Sequence, residues 1–303
     1  MAQLWEISDL IVDYDAESLR RRPVRRSEVV ETLRDNGQQW AARIAGRLPA
    51  HNDVLDAQAV DELLFRAHAE IQRLNEEFRQ GERVWALLRP LVEVLRARDV
   101  APIRVVDVGC GLGYVIRWLA REHNAQDIEW IGVDLNDALV RAADRLAREE
   151  GLDCRFRHAN AFRLDEPAHV YLSSGVVHHF RGEGLHQFFA EQRELSPYAF
   201  MHFDIQPSWA SPIGAFLFHR ARCQEAICRH DGYSSAIRAH GGDTLLEAAA
   251  GADERYRVRL FDNNEGWLPV FRVMQAVVGT RDDVDGAWVD RLGEMARRLG
   301  EAR

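Results

Sequence analysis

Lysine is missing. All 39 basic side chains of this 303-residue chain are arginine, a usage that coding bias in a GC-rich genome accounts for. The absence still removes Schiff-base lysines, a P-loop lysine and a kinase-type lysine from consideration. Cysteine is also scarce. Cys110, Cys154, Cys223 and Cys228 form no Cys-x-x-Cys pair, so neither a zinc ribbon nor a disulfide framework is indicated, and a reducing, cytoplasmic setting fits. No apolar run approaches the ~18 residues of a membrane span, and residues 1–10 lack the basic-then-apolar layout of a secretory signal. Excess positive charge is absent as well. A formal net charge of −9 argues against a nucleic-acid substrate, which usually meets a basic surface.

Against these absences stands one dense stretch, Arg104 to Leu119, Arg-Val-Val-Asp-Val-Gly-Cys-Gly-Leu-Gly-Tyr-Val-Ile-Arg-Trp-Leu. A β-branched run leads into three alternate glycines and then into apolar residues at helical spacing, which reads as buried strand, tight turn and helix N-terminus. Glycine serves where the backbone takes positive φ or must approach a ligand, and the first N–H groups of a helix favour a carboxylate or phosphate. A dinucleotide fingerprint would read Gly-x-Gly-x-x-Gly. Here Gly109, Gly111 and Gly113 read Gly-x-Gly-x-Gly, with Asp107 two residues ahead. In this the chain resembles the class I S-adenosylmethionine (SAM) dependent methyltransferases, whose first motif is Asp/Glu-x-Gly-x-Gly-x-Gly.

The rest of the pattern is read around that stretch. Residues 1–80 are helical without strand alternation, with apolar spacing over Ser27–Leu48 and Val54–Phe78. They form a helical cap, serving as a lid over a substrate pocket or as a homodimer surface; the residues do not separate the two. The arginine cluster at 20–26 reads as a solvated loop, with a role against an acidic substrate or partner as the sharper alternative. Residues 81–303 form the second region. After an amphipathic helix at Glu82–Arg98, strands at Ile103–Val108, Glu129–Asp134, Cys154–Ala159, His169–Ser173 and Ala199–Ile205 alternate with helices, as a parallel sheet requires. A helical insertion follows at about 207–242. Runs at Tyr256–Phe261 and Pro269–Val278, joined by the turn-rich Asp262–Gly266, suggest a hairpin, and residues 280–303 read as an exposed helix or tail. The resemblance covers about residues 83–280 and implies an α/β, Rossmann-like class I methyltransferase sheet, parallel with a terminal antiparallel hairpin, plus the N-terminal cap.

The resemblance also assigns site residues. Asp107, Gly109, Cys110, Gly111 and Gly113 form the cofactor loop. Asp134, at a strand end, accepts from ribose hydroxyls, or else caps the next helix, a task Asn136 or Asp137 could equally perform. Leu135 packs on the adenine. Asn160 stands where the family often has Asp and can accept from the adenine amino group without the charge, with Ala161 and Phe162 beside it. The segment Leu172-Ser173-Ser174-Gly175-Val176-Val177-His178-His179-Phe180 lacks the Asn/Asp-Pro-Pro-Tyr of methyltransferases acting on amino groups of bases or glutamine. It resembles the small-molecule branch (methyltransferase type 12-like), where Ser173, Ser174 or Gly175 lines the methionine end and His178 or His179 faces the acceptor as a base. Strand alternation puts His202 and Asp204 on one face; Asp204 is expected to accept a hydrogen bond from substrate, and no metal is expected. His230-Asp231-Gly232-Tyr233-Ser234-Ser235-Ala236-Ile237-Arg238 resembles a stretch of methyltransferases encoded beside polyketide synthases, in which Asp231 or Arg238 orders a lid; a surface ion pair is the alternative.

The implied activity is transfer of the SAM methyl group to a small-molecule acceptor, most readily a hydroxyl oxygen, by in-line displacement with a histidine base, leaving S-adenosylhomocysteine (SAH). A methyltransferase acting on RNA or protein and a non-catalytic SAM-fold subunit that binds a partner are the other readings. The acceptor itself is not written in these residues.

Overall fold

A computed structural model of the chain describes residues 3–165, 167–251, 254–262 and 274–301. It divides into two compact units, one of residues 1–74 with 208–238 and one of residues 75–207 with 239–303. The stretch read from sequence as an insertion in the sheet domain therefore folds with the N-terminal helices.

The helical unit contains α1 (Ile7–Leu10), α2 (Arg26–Asp35), α3 (Gln39–Ala45) and most of α4 (Ala57–Glu77). The periodicity over 27–48 is split between α2 and α3 because Gly37, at φ +77°, turns the chain between them. Contrary to the all-helical expectation, two short antiparallel ribbons, Asp13–Tyr14 with Arg21–Arg22 and Ala50–His51 with Val54–Leu55, interrupt the helices. On α4, Val60, Leu64, Ala67 and Leu74 are buried at helical spacing.

The second unit is built on a sheet of β1 (Ile103–Val108), β2 (Ile128–Asp134), β3 (Arg155–His158), β4 (Val170–Ser174), β5 (Ala199–Ile205), β6 (Tyr256–Asp262), β7 (Met274–Arg281) and β8 (Leu299–Glu301). Across the sheet the order is β3-β2-β1-β4-β5-β7-β6-β8. The first five strands pair parallel, and β7, β6 and β8 pair antiparallel. The β6–β7 hairpin agrees with the sequence reading; its turn, and residues 269–273 of the second run, lie outside the described residues. The switch in strand order falls between β1 and β4, and in open α/β sheets ligands bind beyond the strand carboxyl ends at such a point.

Alternation on the strands feeds two cores. Val105, Leu172, Met201 and Val278 pack under α5 (Gln80–Arg96), α6 (Tyr114–Glu122) and α7 (Asp137–Glu149). Val106, Val108, Tyr171, Phe200 and Val277 pack on the opposite face under α8 (Glu183–Glu194) and Leu245, Ala248 and Ala249 of a later helix, Gly242–Ala250. The segment expected as an exposed helix or tail begins with a helix, Asp282–Leu292, but a packed one: Val284, Trp288 and Leu292 are buried, and the Trp288 indole N–H donates to the Leu87 carbonyl at 3.1 Å.

Candidate active site

The glycine loop takes the conformation its composition requires. Gly109, Gly111 and Gly113 lie at φ +75°, +55° and +72°, a region L side chains avoid. Space is restricted as well: a Cβ on Gly109 would fall 2.7 Å from Val176, and one on Gly113 would fall 2.2 Å from the Phe156 ring. The loop is tied to β2 by N–H bonds from Gly109 and Cys110 to the Val133 carbonyl, at 2.8 and 3.0 Å. Gly113 is the N-cap of α6.

Asp134 closes the other side of the loop. Its Oδ2 accepts from the Gly111 N–H and its Oδ1 from the Asn136 N–H, each at 2.8 Å. The capping of α7 is done by Asn136, whose Oδ1 accepts from Ala138 and Leu139. Asp134 is thus held at the loop rather than spent on the helix. Leu135 beside it is 39% exposed, an apolar surface at the rim. In the next crossover, Asn160 Oδ1 accepts from the Phe162 N–H at 3.0 Å and its carbonyl from Arg163, so the amide shapes the turn that carries Ala161 and Phe162.

Asp107 is 2% exposed, and its Oδ1 has no hydrogen-bond partner among the described residues. Burial, and behind it the Asp134 charge, pushes its carboxyl well above the ordinary range. The same influences, burial first, raise the Cys110 thiol, which leaves it neutral. A donor-rich or cationic group bound at the loop would complete the Asp107 carboxyl, so these residues fit a ligand bearing an ammonium at one end and ribose hydroxyls at the other.

The segment after β4 delivers the histidines. Ser173 turns inward, its Oγ 2.8 Å from His202 Nδ1, and is fully buried. Ser174 ends the strand and Gly175 follows it. Gly175 sits at φ +69°, a Cβ on it would meet nothing, and its N–H donates to the Phe203 carbonyl. A short 3-10 turn, Val177–His179, follows. There His178 Nδ1 lies 2.8 Å from Asp204 Oδ1, and the His178 backbone N–H donates to Asp204 Oδ2 at 2.9 Å. Both residues are buried. Burial alone would raise the Asp204 carboxyl, but adjacent His178 and the hydrogen bonds from His178 and Ile205 hold it below its ordinary value. Asp204 therefore engages His178 with both oxygens, where the sequence reading expected it to accept from a substrate. The His179 ring lies tilted against His178, 4.4 Å between centroids.

His202 parts company with Asp204. It lies among Phe188, Phe189 and Phe200, and burial lowers it to about 3, the state of a neutral packing residue. Two residues missed in the sequence brace the turn: His240 Nε2 contacts the Phe180 carbonyl at 2.8 Å, and Gln275 Nε2 donates to the carbonyls of His240 and Ile205. Their spacing from the histidine pair, across an insertion and a hairpin, carries no local signal.

The stretch 230–238 packs inside the helical unit. Residues 226–238 form a helix (α10 below), and Asp231 on it accepts from the N–H groups of Ile7 and Ser8, at 2.8 and 3.0 Å. Arg238 pairs with Glu6 at 3.3 Å and with Asp9. The motif is a buried clamp on the N-terminal segment, not a surface ion pair.

Residues 105–196, which include the glycine loop, Asp134 and the histidine turn, match the methyltransferase domain family. Over that segment, under a third of the chain, it is similar to a methyltransferase domain. Among solved structures it is similar to magnesium protoporphyrin IX methyltransferase from Synechocystis with bound SAH, at 14% identity over 84% of this chain and 99% of that one, with a TM-score of 0.46. It is also similar to the plantazolicin methyltransferase in complex with SAH, at 11% identity over 74% and 97% of the two chains, TM-score 0.48. A SAM-dependent methyltransferase from Aquifex aeolicus is 14% identical over 67% and 97%, TM-score 0.42. No curated protein matches the chain in sequence. Among the described residues, no helix is long and apolar enough to cross a membrane.

Proposed function

We propose that the protein methylates a hydroxyl oxygen of a small molecule, with His178 as the base and Asp204 as its positioning residue. The observation that carries this reading is the buried His178–Asp204 pair on a turn that touches the glycine loop through Val176 and Gly109. Bound SAM supplies an already activated methyl group, so the residues are left to bind, orient and move one proton.

The loop backbone from Gly109 to Gly113 and the Asp107 carboxyl hold the amino-acid end, Asp134 the ribose, and Leu135, Asn160, Ala161 and Phe162 the adenine. Ser174 and Gly175 leave room next to the reacting centre. With Nδ1 engaged by Asp204, the acceptor's proton goes to His178 Nε2, and the carboxylate stabilises the imidazolium that forms. His179, on the same turn, is a second contact to the acceptor.

The test is SAH formation with a panel of phenols and small alcohols. In His178→Ala the rate on any accepted substrate should fall by about 10²–10⁴, the usual worth of a general base, with SAH affinity retained. Asp204→Asn should fall less and shift the pH–rate profile. An undiminished rate in His178→Ala overturns the assignment.

A further inference from the structure

A second cluster of chemistry lies in the helical unit, apart from the residues above: His219, Cys223 and Cys228. His219 stands in the last turn of α9 (Ser211–Arg222), and Cys223 is its C-cap, one turn further on, so the two share a face. Cys228 comes from α10 (Ala226–Arg238). The turn between the helices is fixed by the buried Glu70 carboxylate, which accepts from the N–H groups of Gln224 and Glu225 at 2.8 and 3.2 Å.

The ligand atoms converge. His219 Nδ1 is 3.5 Å from Cys223 Sγ and 3.9 Å from Cys228 Sγ, and the sulfurs are 2.9 Å apart. The imidazole is held there by an absence: a Cβ on Gly232 would fall 2.1–2.4 Å from three atoms of its ring. The ring occupies space on α10 that only a glycine leaves. Both cysteines are buried.

We propose that His219, Cys223 and Cys228 bind one zinc-class divalent cation that links α9 to α10. Two thiolates and an imidazole suit zinc, whereas magnesium and calcium take oxygen ligands. With Zn–S near ~2.3 Å and Zn–N near ~2.0 Å, a tetrahedral site spaces nitrogen and sulfur by about 3.5 Å and the sulfurs by about 3.8 Å. The His219–Cys223 distance meets this and the His219–Cys228 distance is 0.4 Å longer; small rotations about the Cα–Cβ bonds bring Cys228 in and move the sulfurs apart. Binding releases the two thiol protons to solvent and oxidises nothing; water takes the fourth position. A disulfide would use the same sulfurs but would have no need of the imidazole.

The test uses the full-length chain, reduced with a phosphine, stripped with a chelator and titrated with Co²⁺ without oxygen. The expected result is one equivalent bound, with thiolate-to-cobalt absorption in the near ultraviolet, tetrahedral bands in the visible, and displacement of both by Zn²⁺. Cys223→Ser and Cys228→Ser should each lose the near-ultraviolet band, and Cys154→Ser should keep it. If a serine variant does not fold, the wild-type spectrum and its displacement by zinc decide. Absence of a thiolate band in reduced wild type overturns the proposal. So does its equal loss in Cys154→Ser, or isolation of the protein from zinc-replete cells with Cys223 and Cys228 joined as a disulfide.

Discussion

Acidification should weaken the sheet domain through His202 well before the carboxylates protonate. The ring is 1% exposed and surrounded by three phenylalanines, with Nδ1 on Ser173 and Nε2 lacking a partner among the described residues. Burial lowers it to about 3, against the smaller opposing pull of Asp204, whereas in the unfolded chain it titrates near ~6.5. Between those values the unfolded chain binds a proton that the folded chain refuses. Stability is therefore complete above about pH 6.5 and declines as the pH falls toward 3. At pH 5 the linkage amounts to about 2 kcal/mol, and near pH 3 it approaches about 5 kcal/mol. Urea denaturation of wild type and His202→Gln at pH 7 and pH 5 isolates this contribution. Glutamine keeps a polar partner for Ser173 and does not titrate, while His169 and His240, also lowered chiefly by burial, are common to both proteins. The loss of stability between the two pH values should be about 2 kcal/mol smaller in the variant. Equal losses would refute the reasoning, because the charged ring would then have found water or a partner.

Two further substitutions probe the loop and the clamp. Gly113→Val forces a β-branched residue into φ +72° and its Cβ into the Phe156 ring; a loss of about 2 kcal/mol or more is expected by thermal denaturation, together with loss of SAH binding. Arg238→Met leaves Glu6 and Asp9 facing an apolar side chain. It should destabilise the helical unit by roughly 3–5 kcal/mol, seen as faster proteolysis of the N-terminal segment, while the proteolytic pattern of residues 103–134 stays unchanged.

The sheet was readable because its signals are local. β-branched runs mark β1 and β2, three glycines in a row of alternate positions mark the loop, and a carboxylate at a strand end marks Asp134. The histidine turn was readable only in part: sequence offered His178, His179, His202 and Asp204 as candidates, and only the fold shows that, on one strand face, His202 meets Ser173 and the phenylalanines while Asp204, nearer the strand end, meets His178. The partners of residues 208–238 were not readable at all, since the pairing of Asp231 with Ile7 and Ser8 spans more than 220 positions. The absence of a Cys-x-x-Cys pair likewise hid Cys223 and Cys228, because their third companion, His219, is recruited by a helical turn and by the space above Gly232.

The central claim is that the glycine loop and Asp134 form a cofactor site. It is tested most directly by calorimetric titration of SAH into the wild-type protein and into Asp134→Ala. Wild type should bind SAH, with an affinity at least about tenfold lower in the variant, or 1.4 kcal/mol. Folded wild-type protein that takes up no SAH, or a variant that binds it as tightly as wild type, would contradict it.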